Sequence, residues 1–261
     1  MKTLVVAPHP DDELLGCGGT LLRRKAEGAY LGWLIVTGIS QETGWSPAKV
    51  QQREEEIEQV ASGLGIDQVY NLGFPTTRLD AFPMGEVIQK FSEVFRDFEP
   101  EEVLIPHRGD VHTDHRVVFD AASACCKWFR YPSVRRVLAY ETLSETEFGL
   151  DPYTGFHPNV FVDISSFLER KIKLLQIYKS ELGPFPFPRS ATAVRALAQF
   201  RGATAGFEAA ELPPVTLRAV VPLLPDVPDS VKVPVIVSPL FFTITSLTVI
   251  ACVLRDNKPV P

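Results

Sequence analysis

Thr3-Leu4-Val5-Val6-Ala7-Pro8-His9-Pro10-Asp11-Asp12-Glu13-Leu14-Leu15-Gly16-Cys17-Gly18-Gly19 is the stretch on which the reading of this chain turns. Thr3 to Ala7 is a continuous apolar run of strand length, and Glu13 to Ala26 carries Leu14, Leu15, Leu21 and Leu22 at helical spacing. Between them stand a histidine and a run of carboxylates. A strand that ends in such a set puts metal-ligand chemistry at the carboxyl edge of a sheet, where open α/β folds carry their sites.

The alternation continues outward from this unit. Leu31 to Val36, Gln68 to Leu72 and Glu102 to Ile105 read as further buried strands. Pro47 to Leu64 reads as a helix, with Ser46 as N-cap, Pro47 in the first turn and Gly63 or Gly65 at its end. Met84 to Phe98 places Val87, Ile88, Phe91, Val94, Phe95 and Phe98 on one helical face, and Thr113 to Trp128 reads as another helix. Strand and helix in turn predict an α/β fold, a Rossmann-like three-layer sandwich with a mostly parallel sheet. After Val134 the pattern loosens. Arg136 to Tyr140 and Asn159 to Val162 look like strands, and Leu168 to Tyr178 and Ala191 to Phe200 look like helices. The Pro/Phe-rich segment Glu181 to Arg189 is too rigid for a helix and suits a pocket wall.

The 261 residues fit one large α/β domain or a domain with an appendage, and 45% hydrophobic residues supply an ample core. A net charge of -6 argues against nucleic acid as partner, since phosphate contacts need a basic surface. Cys17, Cys125, Cys126 and Cys252 form no disulfide framework and read as small buried hydrophobes of a reducing compartment. The apolar run before Pro8 is too short for a signal peptide, so a cytoplasmic location is expected. From Val233 to Leu254 there is no charged residue, a length that suffices to cross a membrane. Hydrophobic strands explain the stretch as well, and Pro234, Pro239 and the sparse basic flank speak against a span.

His9 and Asp12 stand three residues apart at the strand-to-helix turn, and their nitrogen and oxygen suit a borderline divalent ion. Asp11 between them need not ligate and is placed to act as a general base on a metal-activated water. The plainer reading is a polar turn in which Asp11 or Asp12 caps the next helix. A second cluster, Gly109-Asp110-Val111-His112-Thr113-Asp114-His115, again follows an apolar run. One of its histidines can complete a three-ligand set, leaving the other to contact substrate or a developing oxyanion, with a carboxylate to fix its protonation state. Three protein ligands leave coordination positions open, as catalytic metal sites require. No Gly-x-Ser-x-Gly elbow offers a rival nucleophile, and Leu15-Gly16-Cys17-Gly18-Gly19 lacks the Lys and Ser/Thr of a phosphate loop.

At these residues the chain resembles the LmbE-like (PIG-L type) family of zinc-dependent sugar N-deacetylases. Pro8-His9-Pro10-Asp11-Asp12-Glu13 with Leu15-Gly16-Cys17-Gly18-Gly19-Thr20 resembles the family's first signature, and His112-Thr113-Asp114-His115 its second. The resemblance spans residues 1–210, so that 211–261 is set apart as a divergent Pro-rich C-terminal extension. It implies that His9, Asp12 and His115 hold zinc and that Asp11 is the general base. It further implies that His112 stabilises the tetrahedral intermediate with Asp114 beside it, and that Arg53 and Arg201 bind substrate. The implied reaction removes an N-acetyl group from an amino sugar or sugar conjugate by attack of a zinc-bound water. The rivals are another metal-dependent amide or ester hydrolase on the same scaffold, or a sugar-binding module with a degenerate site. Trp45, Phe74, Phe82, Phe185 and Phe187 lie in expected loops and could stack on a sugar ring or anchor the loops.

Overall fold

The computed structural model describes residues 1–150 and 155–211, and the backbone of 215–217. Five parallel strands form the sheet: β1 (Lys2–Ala7), β2 (Tyr30–Gly38), β3 (Gln68–Pro75), β4 (Glu102–Pro106) and β5 (Arg136–Tyr140). Their spatial order is β3-β2-β1-β4-β5, and the short strand Val215–Leu217 adds to β5 in the antiparallel sense. The chain therefore runs from β1 toward one edge, then returns to place β4 on the other side of β1. That reversal makes the β1/β4 pair the topological switch point of the sheet, where a crevice opens outside the strand ends.

Alternate strand residues feed two cores. Leu4, Val6, Leu34, Val36, Val103 and Ile105 point to the face covered by α3 (Met84–Phe98) and α4 (Thr113–Ala124). Val5, Ala7, Trp33, Ile35, Leu104 and Tyr140 point to the other face. There they meet α1 (Asp12–Ala26), α2 (Pro47–Leu64), α5 (Leu168–Leu175) and α6 (Ala191–Ala205). Ser46 caps α2 by accepting from the Lys49 amide, and Gly65 ends it at φ 72°, as the sequence leads one to expect.

Several elements end elsewhere than expected. α4 stops at Ala124 rather than at Trp128, because Cys125 and Cys126 tighten into a turn and bury themselves in the core. α5 stops at Leu175, and its last turn narrows through bonds from Ile177 to Leu174 and from Tyr178 to Leu175. α6 runs past Phe200 to Ala205, where Gly206 ends it at φ 78°. The expected strand at 159–162 is only the pair Val162–Asp163, matched antiparallel with Ala210–Glu211. Among the described residues no helix is long and apolar enough to cross a membrane, and the apolar stretch 233–254 with Cys252 lies outside them.

The Gly-rich start of α1 has a packing cause. A Cβ on Gly16 would lie 2.1 Å from the Tyr140 ring, whose hydroxyl donates to the Val6 carbonyl at 2.8 Å. α1 also breaks at Cys17 (φ -142°, ψ 21°), so that its second half has its own N-terminus at Gly18-Gly19-Thr20. Glu211 fills that end: its carboxylate accepts from the amides of Gly19 (2.8 Å) and Thr20 (2.6 Å) and from the Thr20 hydroxyl (2.7 Å). Lys171 pairs with it at 2.7 Å, and both side chains are buried. Glu211, set outside the domain by the sequence reading, is thus an internal anchor of it. Removing one partner of a buried pair leaves the other uncompensated, so Glu211→Ala is expected to lower stability by about 3–5 kcal/mol. Urea unfolding of the purified variant measures the loss, and a value under about 1 kcal/mol would show the anchor to be dispensable.

Candidate metal centre

The β1–β4 pairing brings two polar turns side by side, one after each strand. The first is locked to β2, because the Pro8 carbonyl accepts from the Thr37 amide (3.0 Å) and hydroxyl (2.9 Å). The turn is tight enough to force Asp11 to φ 137°, ψ -27°, outside the regions that L residues prefer. Asp11 is the N-cap of α1 by position, but its side chain makes no capping bond, so the plain reading of the turn as a cap does not describe it.

His9, Asp12 and His115 converge. One oxygen of Asp12 lies 3.3 Å from His9 Nδ1 and 3.3 Å from His115 Nε2, and the donor atoms of all three residues lie within 4.8 Å of one another. The opposite nitrogen of each imidazole meets a second carboxylate: His9 Nε2 is 3.0 Å from Asp114, and His115 Nδ1 is 2.8 Å from Asp110. These carboxylates are themselves held. The Thr146 hydroxyl donates to Asp110 at 2.7 Å, and the amides of Thr77 (2.8 Å) and Leu79 (3.2 Å) donate to Asp114. Without an ion both rings are held as donors to these carboxylates; if an ion took the place of the protons facing Asp12, Asp114 and Asp110 would keep Nε2–H of His9 and Nδ1–H of His115 and leave His9 Nδ1 and His115 Nε2 free to ligate. Two imidazoles so oriented and one carboxylate oxygen are a donor set that fits a divalent ion such as zinc.

The charges agree. Burial opposes a positive charge on His9, yet the hydrogen bonds of Asp114 and Asp12 outweigh it and push its pKa up to about 9. Burial likewise opposes a charge on His115, and Asp12 and Asp110 push its pKa up to about 10. Burial would raise the pKa of Asp12, but His115 and His9 hold it well below the usual carboxylate range. The field at these atoms calls for a cation. His9, His112 and Asp114 also stand within reach of one ion, but Asp114 already accepts from two amides and from His9.

A cavity of about 430 Å³ opens over the centre, with His9, Asp11, Thr77 and His112 on its floor. Burial and the charge of Asp12 raise the pKa of Asp11 to about 7, against the pull of Arg189, whose guanidinium donates to Asp11 Oδ2 at 2.9 Å. His112 is the N-cap of α4, and its Nδ1 accepts from the Asp114 amide at 3.1 Å. That amide can only donate, so the ring proton of neutral His112 sits on Nε2. Burial and the nearby His9 push the His112 pKa down to about 4.

The structure rearranges three sequence expectations. Asp114 does not fix His112 through its carboxylate, which is 4.0 Å from His112 Nδ1 and turned instead to His9. Arg53 does border the cavity, but its guanidinium is engaged by the Pro10 carbonyl (2.9 Å), by Ser180 and by Glu181 and Glu56. Arg201 is not brought to the cavity at all: Glu141 holds it bidentate at 3.0 and 2.8 Å, between the rings of Phe156 and Phe200. Of the five aromatic residues in expected loops, Trp45 lines the cavity, and Phe74 packs edge-on against Phe82. Arg189, Glu145, Glu181 and Asp110 were missed as site residues. Arg189 and Glu181 end a segment legible as a pocket wall, and Asp110 stands two residues before His112.

A model of the PIG-L family, described as GlcNAc-PI de-N-acetylase, matches residues 4–126. Diacetylchitobiose deacetylase of Thermococcus kodakarensis is 28% identical over 229 residues, 80% of this chain and 81% of that protein. A protein of Escherichia coli named as an uncharacterized deacetylase, YaiS, is 28% identical over 184 residues, 68% of this chain and 90% of its own. The crystal structure of a conserved protein of Thermus thermophilus is 33% identical with a TM-score of 0.66, covering 82% of this chain and 94% of that one.

The carboxylates behind the two imidazoles carry a measurable expectation. Asp110→Asn is expected to weaken Zn2+ binding about 10- to 100-fold with the fold retained. Competition against a chelator of known affinity reads it, and unchanged binding would show that Asp110 does not support His115 as a ligand.

Proposed function

The chain belongs to the PIG-L (LmbE-like) family, and on that premise we propose that it is a zinc-dependent hydrolase that removes the N-acetyl group of an amino sugar or sugar conjugate. The observation that carries the reading is the juxtaposition of a two-histidine, one-aspartate donor set with Asp11 and His112 on one cavity floor. His9, Asp12 and His115 would hold the ion. Bound there, it supplies Lewis acidity and lowers the pKa of water toward ~7.

The chain's own groups divide the remaining work. Asp11, buried but open to the cavity, takes the proton of the attacking water and returns it to the departing amine nitrogen. His112 donates its Nε2–H to the carbonyl oxygen as that oxygen gains negative charge, and the Asp114 amide keeps the proton on that nitrogen. Asp114 and Asp110 orient the two metal-binding imidazoles. Trp45 offers a flat apolar surface at the cavity wall for a sugar ring. The relatives named as deacetylases support this reaction class, and the diacetylchitobiose enzyme among them supports an N-acetylated sugar as substrate.

Acetate release from a panel of N-acetylhexosamines and their glycosides, with and without chelator, tests the proposal. Release that stops with chelator and returns with Zn2+ is expected. Turnover that survives complete metal removal, or a zinc-loaded protein that releases acetate from no member of the panel, would sink it. The roles separate further: Asp11→Ala should cost about 100- to 10,000-fold in kcat with metal content unchanged. His112→Ala should cost about 100- to 1,000-fold, and His115→Ala should lose metal itself.

A further inference from the structure

We propose that Glu181 is a positioning residue: it joins Arg53 and Arg189 into one clamp that fixes the Pro10–Asp11 turn and thereby sets where the Asp11 carboxylate stands. The proposal rests on the reading of Asp11 as the base. Its starting point is backbone strain. A non-glycine residue at φ 137° persists only where its surroundings over-determine it, at a cost of about 1–3 kcal/mol.

Two guanidiniums from separate segments of the chain supply much of that hold. Arg53, from α2, donates to the Pro10 carbonyl at 2.9 Å, immediately before the strained residue. Arg189, from the segment before α6, donates to Asp11 Oδ2 at 2.9 Å. Two cations so close would repel each other, and Glu181 stands between them. Its Oε1 accepts from Arg53, and its Oε2 lies 3.6 Å from Arg189 Nη1. Ser180 reinforces the junction by donating to Glu181 Oε1 at 3.0 Å. The outer ends are tied down as well, Arg189 Nε to Ser144 at 2.7 Å and Arg53 Nε to Glu56 at 3.2 Å.

This assignment gives Arg53 a different task from the one the family resemblance implies. Its donors are spent on backbone and carboxylates of the chain, so it acts on Asp11 through Pro10 rather than on sugar hydroxyls. The Glu181 side chain is 30% exposed at the cavity wall and belongs to neither core, so loss of its charge should cost the fold little. What it should disturb is the angle at which Asp11 meets the reacting atoms, and misplacement by about 1 Å is enough to cost 100-fold.

The test compares zinc-loaded wild type with Glu181→Gln and Glu181→Asp by steady-state kinetics and by amide hydrogen exchange of peptides within residues 8–15. Expected for Glu181→Gln is a kcat about 10- to 100-fold lower, with KM within about twofold. Metal content and melting temperature should stay at wild-type values, with faster exchange confined to the Asp11 turn. Glu181→Asp, which keeps the charge, should recover part of both effects. Wild-type kcat and exchange in Glu181→Gln would overturn the clamp. A rise in KM alone would make Glu181 a substrate contact, and faster exchange throughout the chain would make it a structural residue. Either result rejects the proposal. If wild type turns over no sugar, the deacetylase reading fails by itself, and the exchange measurement alone then decides the clamp, for it if the increase is local and against it if none is seen.

Discussion

The parallel pairing of β1 with β4 is the constraint from which the site follows. Thr3, Leu4 and Val5 lie in register with Glu102, Val103 and Leu104, residues about a hundred positions away. Both strands then end at the same edge, and both are followed by polar turns. His9 and His115 can share one oxygen of Asp12 only because these neighbours are neighbours in the sheet. Moving β4 one place outward would separate the turns by a strand spacing of about 4.8 Å, more than any ligand set tolerates.

The electrostatics impose a second requirement. Asp11, Asp12, Glu13, Asp110 and Asp114 are all buried at this edge. So many carboxylates cannot ionise together in a dry site without compensation. Each therefore has a specific partner: Arg189 for Asp11, the paired imidazoles for Asp12, Thr146 and His115 for Asp110, backbone amides and His9 for Asp114. Among the described residues Glu13 has no ion-pair partner. It accepts from the Asp11 amide and the Tyr178 hydroxyl, and burial pushes its pKa well above the usual carboxylate range. His9, Asp12 and His115 are the group in this balance that could hold a divalent ion.

Much of this was legible in the chain. Apolar runs of strand length, helical periodicity with caps, and histidine–carboxylate turns at strand ends are local signals, and β1, α1, β2, α2, β3, α3 and β4 follow them closely. What escaped depends on distance. The family resemblance makes Arg201 a substrate residue, but only the fold shows that Glu141 claims its guanidinium. Asp114 is adjacent in sequence to the histidine cluster, yet its carboxylate turns to His9, 105 residues away. Glu211 falls just beyond the stretch that resembles the family, at the start of the Pro-rich extension. Its partners, Gly19, Thr20 and Lys171, lie far back in the chain, and no periodicity announces a carboxylate that caps the broken half of a helix.

The same long-range contacts bear on how the wall and the floor of the cavity relate. Loops around a rigid sheet edge usually vary more freely than the elements they connect. Here the segment after β5 cannot. Ser144 orients Arg189, Arg189 holds Asp11, and Thr146 of the same loop holds Asp110 behind His115. A change of wall that alters what the cavity admits must therefore keep Ser144, Thr146 and Arg189 in place, or it disturbs the floor. Trp45 and Lys49 border the cavity from the opposite side, and neither makes a hydrogen bond through its side chain to another described residue. On the proposed reading, the rim at the start of α2 is thus a part of the cavity where substitution can alter the fit of a ligand while Asp11 and His112 stay where they are.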